Sequence, residues 1–311
     1  MYGRVWVITG ASSGFGLAIA SYALAQGEKV VVTVRSPSKF PGTLKEAGAH
    51  PVYLDMLSSD DVIQKAAEDA IQVYGHVDVL VNNAGASATG LGPLEEQSIA
   101  DIRETFQVNV FSLLVFTKPF IAHFRSRRAG HILNVSSYYS IWSPPGSDIY
   151  SATKSALNII THNLESELRL FGVKVHLLLP GCFYDTNIWP TEDVSPVHAI
   201  GPYTDLETQG IDIVRFQRAR SAEKKQAGDT KKLAVRVYEI VAGVGLAGGV
   251  IRDAQRPGRV WIPLGSDAGE DCKGKLSEML ESIDSLEPVW RSTDISDEHA
   301  AGLFSKFGGG E

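Results

Sequence analysis

Tyr150 and Lys154 stand four residues apart in the run Tyr150-Ser151-Ala152-Thr153-Lys154, a stretch whose residue types and spacing could do chemistry. Ala152, Ser155, Ala156, Leu157, Ile159, Ile160, Leu164 and Leu168 recur at roughly helical period through and beyond it, predicting a buried helix. Positions i and i+4 share a helix face, so phenol and ammonium would project side by side. A free phenol, with a pKa of about 10, exchanges protons poorly at neutral pH, and a neighbouring cation favours its ionised form. The pair therefore reads as a proton donor and acceptor tuned toward neutral pH. The same spacing also occurs on solvated or structural helices, so the reading depends on the elements that surround it.

Composition narrows the class. The chain has 311 residues, 44% hydrophobic and 21% charged, which is soluble globular material for one large or two small domains. A formal net charge of -7 leaves no electrostatic footprint for nucleic acid. The short basic clusters Arg125-Ser126-Arg127-Arg128 and Lys224-Lys225 read as solvated helix ends. Cys182 and Cys272 lack metal-ligand spacing and read as free thiols of a reducing compartment. No metal site is expected, and the histidines read as surface or packing residues. We expect no membrane span, and a first strand starting almost at Met1 points to the cytoplasm.

The apolar run Val5-Trp6-Val7-Ile8 predicts a strand buried on both faces. Thr9-Gly10-Ala11-Ser12-Ser13-Gly14-Phe15-Gly16 follows, and a helical period then runs to Gly27. Strand, glycine turn and helix form the context of a dinucleotide site, where helix N-terminal amides receive the pyrophosphate. Further strands are expected at 29–34, 50–54 and 77–81, with a helix at 58–74. That alternation predicts a doubly wound parallel α/β sheet of the Rossmann type, about seven strands, with helices on both faces. Ligands of such sheets bind at the carboxyl ends of the strands, here the loops at 10–16, 35–37, 55 and 82–85.

Taken together, these motifs resemble the short-chain dehydrogenase/reductase family in its single-domain branch. Thr9-Gly10-x-x-x-Gly14-x-Gly16 matches the family's cofactor turn, Asp55 its adenine contact, and Asn82-Asn83-Ala84-Gly85 the motif after strand four. Asn109 matches the catalytic asparagine, Asn134-Val135-Ser136-Ser137 the serine strand, Tyr150 and Lys154 the active pair, and Pro180-Gly181 the turn after strand six. Thirteen residues separate Ser137 from Tyr150, which favours Ser137 over Ser136 as the catalytic serine. The segments Pro263–Ala268 and Arg291–Asp294 look like the tail of a bacterial and fungal sub-branch. Three positions depart from the pattern: Phe15 replaces a more usual Ile, Ser112 a usual Gly, and one extra residue precedes Thr186.

The resemblance implies a carbonyl–alcohol oxidoreductase in which Ser137 stabilises the developing oxyanion and Tyr150 moves the proton. It implies further that Lys154 lowers the phenol pKa and holds the nicotinamide ribose, and that Asn109 kinks a helix spanning 102–128 and positions a water leading to Lys154. Cofactor contacts are expected from Gly10, Ser12, Ser13, Gly14, Phe15, Gly16, Arg35, Asp55, Asn83, Ala84, Gly85, Tyr150, Lys154, Pro180 and Gly181. The aromatic loop Tyr138, Tyr139, Ile141, Trp142 either lines a substrate pocket or packs the sheet edge. Residues 185–228 interrupt the strand–helix alternation and read as a substrate lid. A helix is expected at 231–246, a strand at 259–262, and a C-terminal helical extension at 267–311 with a disordered glycine tail, all within one domain spanning 1–311.

The second strand ends Thr33-Val34-Arg35, with Val34 where an acid would bind a ribose 2′-hydroxyl. An arginine there accommodates a 2′-phosphate, so NADP(H) is the expected cofactor, with Ser12 and Ser13 as further donors. The aromatic residues of the loop and lid suggest a bulky apolar carbonyl or alcohol. Two long apolar helices, 102–128 and 149–171, suggest a homodimer or homotetramer. A cofactor-sensing regulator and a non-redox epimerase or dehydratase are the alternative readings.

Overall fold

Val5–Ile8 (β1) is four consecutive buried residues, and such a strand needs a sheet covered on both faces. The computed structural model describes residues 3–87, 92–144, 146–183, 186, 228–253 and 261–294. In it β1 lies inside a seven-stranded parallel sheet of order β3-β2-β1-β4-β5-β6-β7. The other strands are β2 (Lys29–Val34), β3 (His50–Tyr53), β4 (Val79–Asn82), β5 (Gly130–Val135), β6 (Val173–Pro180) and β7 (Trp261–Leu264). The helices in chain order are α1 (Gly14–Ala25), α2 (Gly42–Glu46), α3 (Asp60–Gln72), α4 (Ile99–Phe106), α5 (Ser112–Arg127), α6 (Asp148–Leu168), α7 (Thr230–Ala242), α8 (Gly245–Asp253), α9 (Ser266–Ser285) and α10 (Glu287–Arg291).

Side-chain alternation along β1 assigns the two cores. Trp6 and Ile8 pack with α1 and α7, whereas Val5 and Val7 pack with α3 and α5. The chain runs from β1 to β2 and β3 on one side, then returns to β4 on the other. That reversal opens a crevice at the carboxyl ends of β1 and β4, and the site must be sought there.

Several expectations change. The short helix α2 was not anticipated. The helix expected at 231–246 is two helices, because Gly243 adopts φ 67 and ends α7. Of the lid at 185–228, Thr186 and Gly228 belong to the described residues; Tyr184, Trp189 and the charged segment 211–225 lie outside them, as do residues 295–311 of the C-terminal extension. One run, Ile99–Arg127, is long and apolar enough by length and composition to cross a membrane, and half of that window is buried inside the fold, as in a core helix. Phe116, Phe120 and Phe124 of α5 are fully buried core residues.

His131 on β5 and His176 on β6 stack at 5.8 Å between ring centroids. Burial pulls their pKa values down to about 3 and about 4, so both are neutral packing residues.

Candidate active site

The glycine turn is built around Thr9. Its hydroxyl accepts the amides of Asn83 and Ala84, each at 2.9 Å, which ties the ends of β1 and β4 together. The Asn83 side chain returns the contact, donating from Nδ2 to the carbonyls of Thr9 (2.9 Å) and Gly10 (3.1 Å). This closure explains two glycines. A Cβ at Gly16 would come 2.6 Å from Asn83 Nδ2 and from the Gly10 carbonyl. One at Gly10, where φ is 66, would come 2.9 Å from Ala84 Cα.

The same closure leaves the start of α1 open. Ser13 is its N-cap residue but makes no side-chain cap, and the first turn carries no acid. Free amides and a positive dipole end therefore face the crevice, flanked by the exposed Ser12 and Ser13. Gly10 donates to Thr33 Oγ1 at 3.2 Å, which draws the end of β2 toward the turn. Arg35, just past β2, is exposed and makes no ion pair or side-chain hydrogen bond among the described residues. Asp55 is exposed beyond β3, where its carboxylate accepts the Leu57 amide at 3.0 Å. A dinucleotide fits this donor set: glycine-cleared backbone, uncapped amides, two hydroxyls and an unengaged guanidinium.

The catalytic candidates converge beside it. Tyr150 and Lys154 are both buried on α6, with Lys154 Nζ 5.7 Å from the Tyr150 ring centroid. The Ser137 side chain hydrogen-bonds Tyr150 and also accepts the Tyr139 amide at 3.2 Å. Ser136 is turned elsewhere, donating to the Lys154 carbonyl (3.1 Å) and Asn158 Oδ1 (2.8 Å). Of the two serines, Ser137 faces the phenol.

The electrostatics differ from the sequence expectation. Burial pushes the Tyr150 phenol up to about 12, opposed by the Ser137 hydrogen bond. The Lys154 ammonium lies over the ring face and donates to the Val135 carbonyl at 3.0 Å, and burial pulls it down to about 8. The phenol is thus held neutral at pH 7, the state of a proton donor.

Asn109 sits in a π-helical turn, Gln107–Phe111, inserted between α4 and α5. Such turns are frequent at functional sites. Its buried carboxamide accepts the Ala86 amide (2.9 Å) and donates to the Ala86 carbonyl (2.8 Å) and Thr153 Oγ1 (3.1 Å). It therefore fastens the loop after β4 onto α6. A Cβ at Gly85 would lie 3.3 Å from both Asn109 Oδ1 and Lys154 Nζ, so Gly85 closes this corner. Ser112 fills its usual glycine position by hydrogen-bonding the Met56 carbonyl.

After β6, the Gly181 amide donates to the Leu264 carbonyl at 2.8 Å and the Cys182 amide to Asp267 Oδ2 at 2.6 Å. A Cβ at Gly181 would collide with that buried carboxylate. Despite the extra residue, Thr186 lies over the glycine turn, its methyl 3.8 Å from where a Gly14 Cβ would be. Phe15 meets Phe183 edge-on at 4.9 Å between centroids, so the aromatic replacement has a partner. Tyr138, Tyr139 and Tyr150 pack in one cluster with Ala268 and Cys272, edged by Ile141, Trp142 and Cys182. The aromatic loop is thus the wall that desolvates the phenol. Sequence reading had not singled out Thr153, Asn158 or Asp267 as supports. The first two lie in or just after the Tyr-x-x-x-Lys run, and Asp267 opens α9, where an acid suits a helix start.

The short chain dehydrogenase family model matches residues 4–194. Oxidoreductase BOA17 of Botryotinia fuckeliana is 32% identical over 296 residues, covering 94% of this chain and 98% of that protein. The 3-ketodihydrosphingosine reductase of Bacteroides thetaiotaomicron is 30% identical over 243 residues, 78% of this chain and 85% of that one. Among solved structures, a short-chain dehydrogenase from Streptomyces avermitilis superposes with a TM-score of 0.75 at 30% identity, covering 95% of this chain and all of that one. With its glycine turn, its serine, tyrosine and lysine gathered at the switch point, and these relatives, the chain belongs to the short-chain dehydrogenase/reductase family, oxidoreductases that exchange hydride between a nicotinamide cofactor and a carbonyl–alcohol pair.

Proposed function

We propose that this protein interconverts a bulky apolar ketone or aldehyde and its alcohol with NADP(H), using Tyr150 as proton donor and acceptor. The observation that carries the proposal is the buried, neutral phenol hydrogen-bonded to Ser137 beside Lys154. A nicotinamide cofactor, when bound, supplies or accepts the hydride. Ser12, Ser13 and the amides at the start of α1 would hold its phosphates, and Arg35 a 2′-phosphate. Ser137 orients the substrate oxygen and offers a hydrogen bond as negative charge grows there. Tyr150 gives that oxygen its proton in reduction and takes it back in oxidation. Lys154, held at about 8, is a short step from neutrality and so is suited to refill the phenol from the crevice. The half-buried Ile141, Trp142 and Cys182 at the edge of the aromatic cluster favour an apolar substrate.

Tyr150→Phe tests the assignment. Turnover of NADPH with a responsive carbonyl should fall by a factor on the order of 100 or more, the usual scale for a general acid. Cofactor binding, read by fluorescence quenching, should stay near wild type. Near wild-type turnover in the folded variant refutes the role. A cofactor-sensing regulator would consume no NADPH across a panel of steroid, aromatic, aliphatic and polyketide-like carbonyls. A non-redox epimerase or dehydratase would change its substrate while the absorbance of reduced cofactor stays constant.

A further inference from the structure

Asn158 stands one turn beyond Lys154 and two beyond Tyr150, at the spacing that puts all three on one face of α6. Each member of that row reaches the end of β5 or the turn that follows it. Tyr150 meets the Ser137 hydroxyl, and Lys154 donates to the Val135 carbonyl. Asn158, only 3% exposed, bonds on both sides of Ser137. Its Oδ1 accepts from Ser136 Oγ at 2.8 Å, and its Nδ2 donates to Ser140 Oγ at 2.7 Å. Ser140 Oγ in turn donates to the Ser137 carbonyl, which also accepts the Ser140 amide at 3.0 Å. Ser155, again on α6, donates to the Ser140 carbonyl at 2.8 Å. Proton counting fixes the direction of this path, because a hydroxyl carries a single proton. Ser140 gives its proton to the Ser137 carbonyl, so its oxygen must accept, and Asn158 must present Nδ2 to it. Oδ1 is then turned to Ser136, whose hydroxyl proton it receives.

We infer that Asn158 is a positioning residue for the reaction: through Ser140 it sets where the Ser137 hydroxyl stands relative to Tyr150. The inference rests on the roles proposed above for Ser137 and Tyr150. The segment holding Ser137 needs such a strut. Tyr138–Ser140 is one short 3-10 turn, whose hydrogen bonds have poorer geometry than those of an α-helix. Ser137 itself is extended, with φ -158 and ψ 152, and its hydroxyl takes the Tyr139 amide at 3.2 Å. Fastening that turn to α6 puts serine and phenol on one rigid element, so the gap between them is fixed by the helical row and not by the loop. The same carboxamide holds Ser136 aside, which leaves Ser137 as the hydroxyl at the phenol. A group that only filled space at this depth would be apolar, because a buried amide costs free energy unless it is paired. Asn158 is paired at both ends, and both partners flank the reacting serine.

The test is steady-state kinetics of the full chain with NADPH and the aromatic ketone or aldehyde of the panel that the wild type reduces fastest. Asn158→Ala should lower kcat on the order of 10- to 100-fold, the scale of a reacting group displaced by about 1 Å. The loss should appear equally in kcat and kcat/KM, with KM for NADPH unchanged, the mark of an interaction realised in the transition state. Ser140→Ala cuts the same path one link later and should give a similar loss. The double variant should lose no more than Asn158→Ala alone. Ser140→Thr keeps the hydroxyl and should retain most of the turnover. Circular dichroism checks folding, and if Asn158→Ala does not fold, Ser140→Ala against Ser140→Thr decides the matter. Wild-type kcat in a folded Asn158→Ala or Ser140→Ala, a raised KM at unchanged kcat, or losses that multiply in the double variant would overturn the inference. So would equal losses in Ser140→Ala and Ser140→Thr. Tyr150→Phe separates the two levels. If it keeps its turnover, the proposed function fails and this inference with it; if it loses turnover while Asn158→Ala does not, the role of Asn158 alone fails.

Discussion

Gly16→Ala puts a methyl group where the glycine turn closes on β4. The new Cβ would lie 2.6 Å from Asn83 Nδ2 and from the Gly10 carbonyl, and 3.0 Å from Ala11 Cα. Two of these neighbours are backbone and cannot swing aside. The Asn83 amide can, but only by giving up its bonds to Thr9 and Gly10. Overpacking of a close-packed site costs about 1–3 kcal/mol. Two lost hydrogen bonds add about 1 kcal/mol each. The substitution should therefore destabilise the fold by about 3–5 kcal/mol. Urea titrations followed by circular dichroism measure it through the midpoint at constant slope. A double-mutant cycle isolates the cause, since Asn83→Ala removes one of the obstructing groups. Its cost and that of Gly16→Ala should be less than additive by at least about 1 kcal/mol. A Gly16→Ala protein within about 0.5 kcal/mol of wild type, or strict additivity with Asn83→Ala, would refute the reasoning.

Arg35→Ala removes the candidate 2′-phosphate contact, a charged hydrogen bond of about 1.5–3 kcal/mol, and should cut any preference for NADPH over NADH by roughly 10- to 150-fold. Matched kcat/KM values with both cofactors decide it: NADH equal or better in the wild type ends the NADP(H) reading. His131 and His176 take up protons more readily unfolded than folded, because burial depresses their folded values to about 3 and about 4. The stability they contribute is present above the unfolded value of about 6.5 and is lost as pH falls toward the folded values, so each should cost about 2 kcal/mol between pH 7 and pH 5. His176→Gln should flatten that slope in urea titrations, and an unchanged slope would remove His176 as a cause. Asp267→Ala breaks the charged contact to the Cys182 amide and should cost about 1.5–3 kcal/mol. Asp267→Asn, which keeps an acceptor, should cost less, and equal losses would argue against the hydrogen bond.

Local patterns in the chain were enough to announce the parallel sheet, the glycine turn and the Tyr150–Lys154 pair, because each rests on period, spacing or a backbone conformation that neighbouring residues impose. Val5–Ile8, an apolar run leading straight into a glycine turn, reads as a doubly buried strand, and Tyr150 and Lys154 share a helix face at any depth. Element ends were less legible. The break at Gly243 depends on a left-handed turn that a glycine permits but does not demand. What the tertiary structure decided is the environment of those groups. Spacing favoured Ser137 over Ser136, and which hydroxyl meets the phenol depends on how β5 lies against α6: Ser137 hydrogen-bonds Tyr150 while Ser136 bonds Asn158. The pair on α6 suggested a phenol lowered by its lysine, and the packed aromatic cluster reversed the direction, because desolvation in a buried site outweighs a cation that lies over the ring face and is already engaged by a carbonyl. Asn109, Thr153 and Asp267 likewise acquire their roles from partners distant in sequence, 23, 44 and 85 residues away in their hydrogen bonds. Spacing along a helix or strand is a property of the chain itself, whereas burial and long-range hydrogen bonds exist only after the layers have packed.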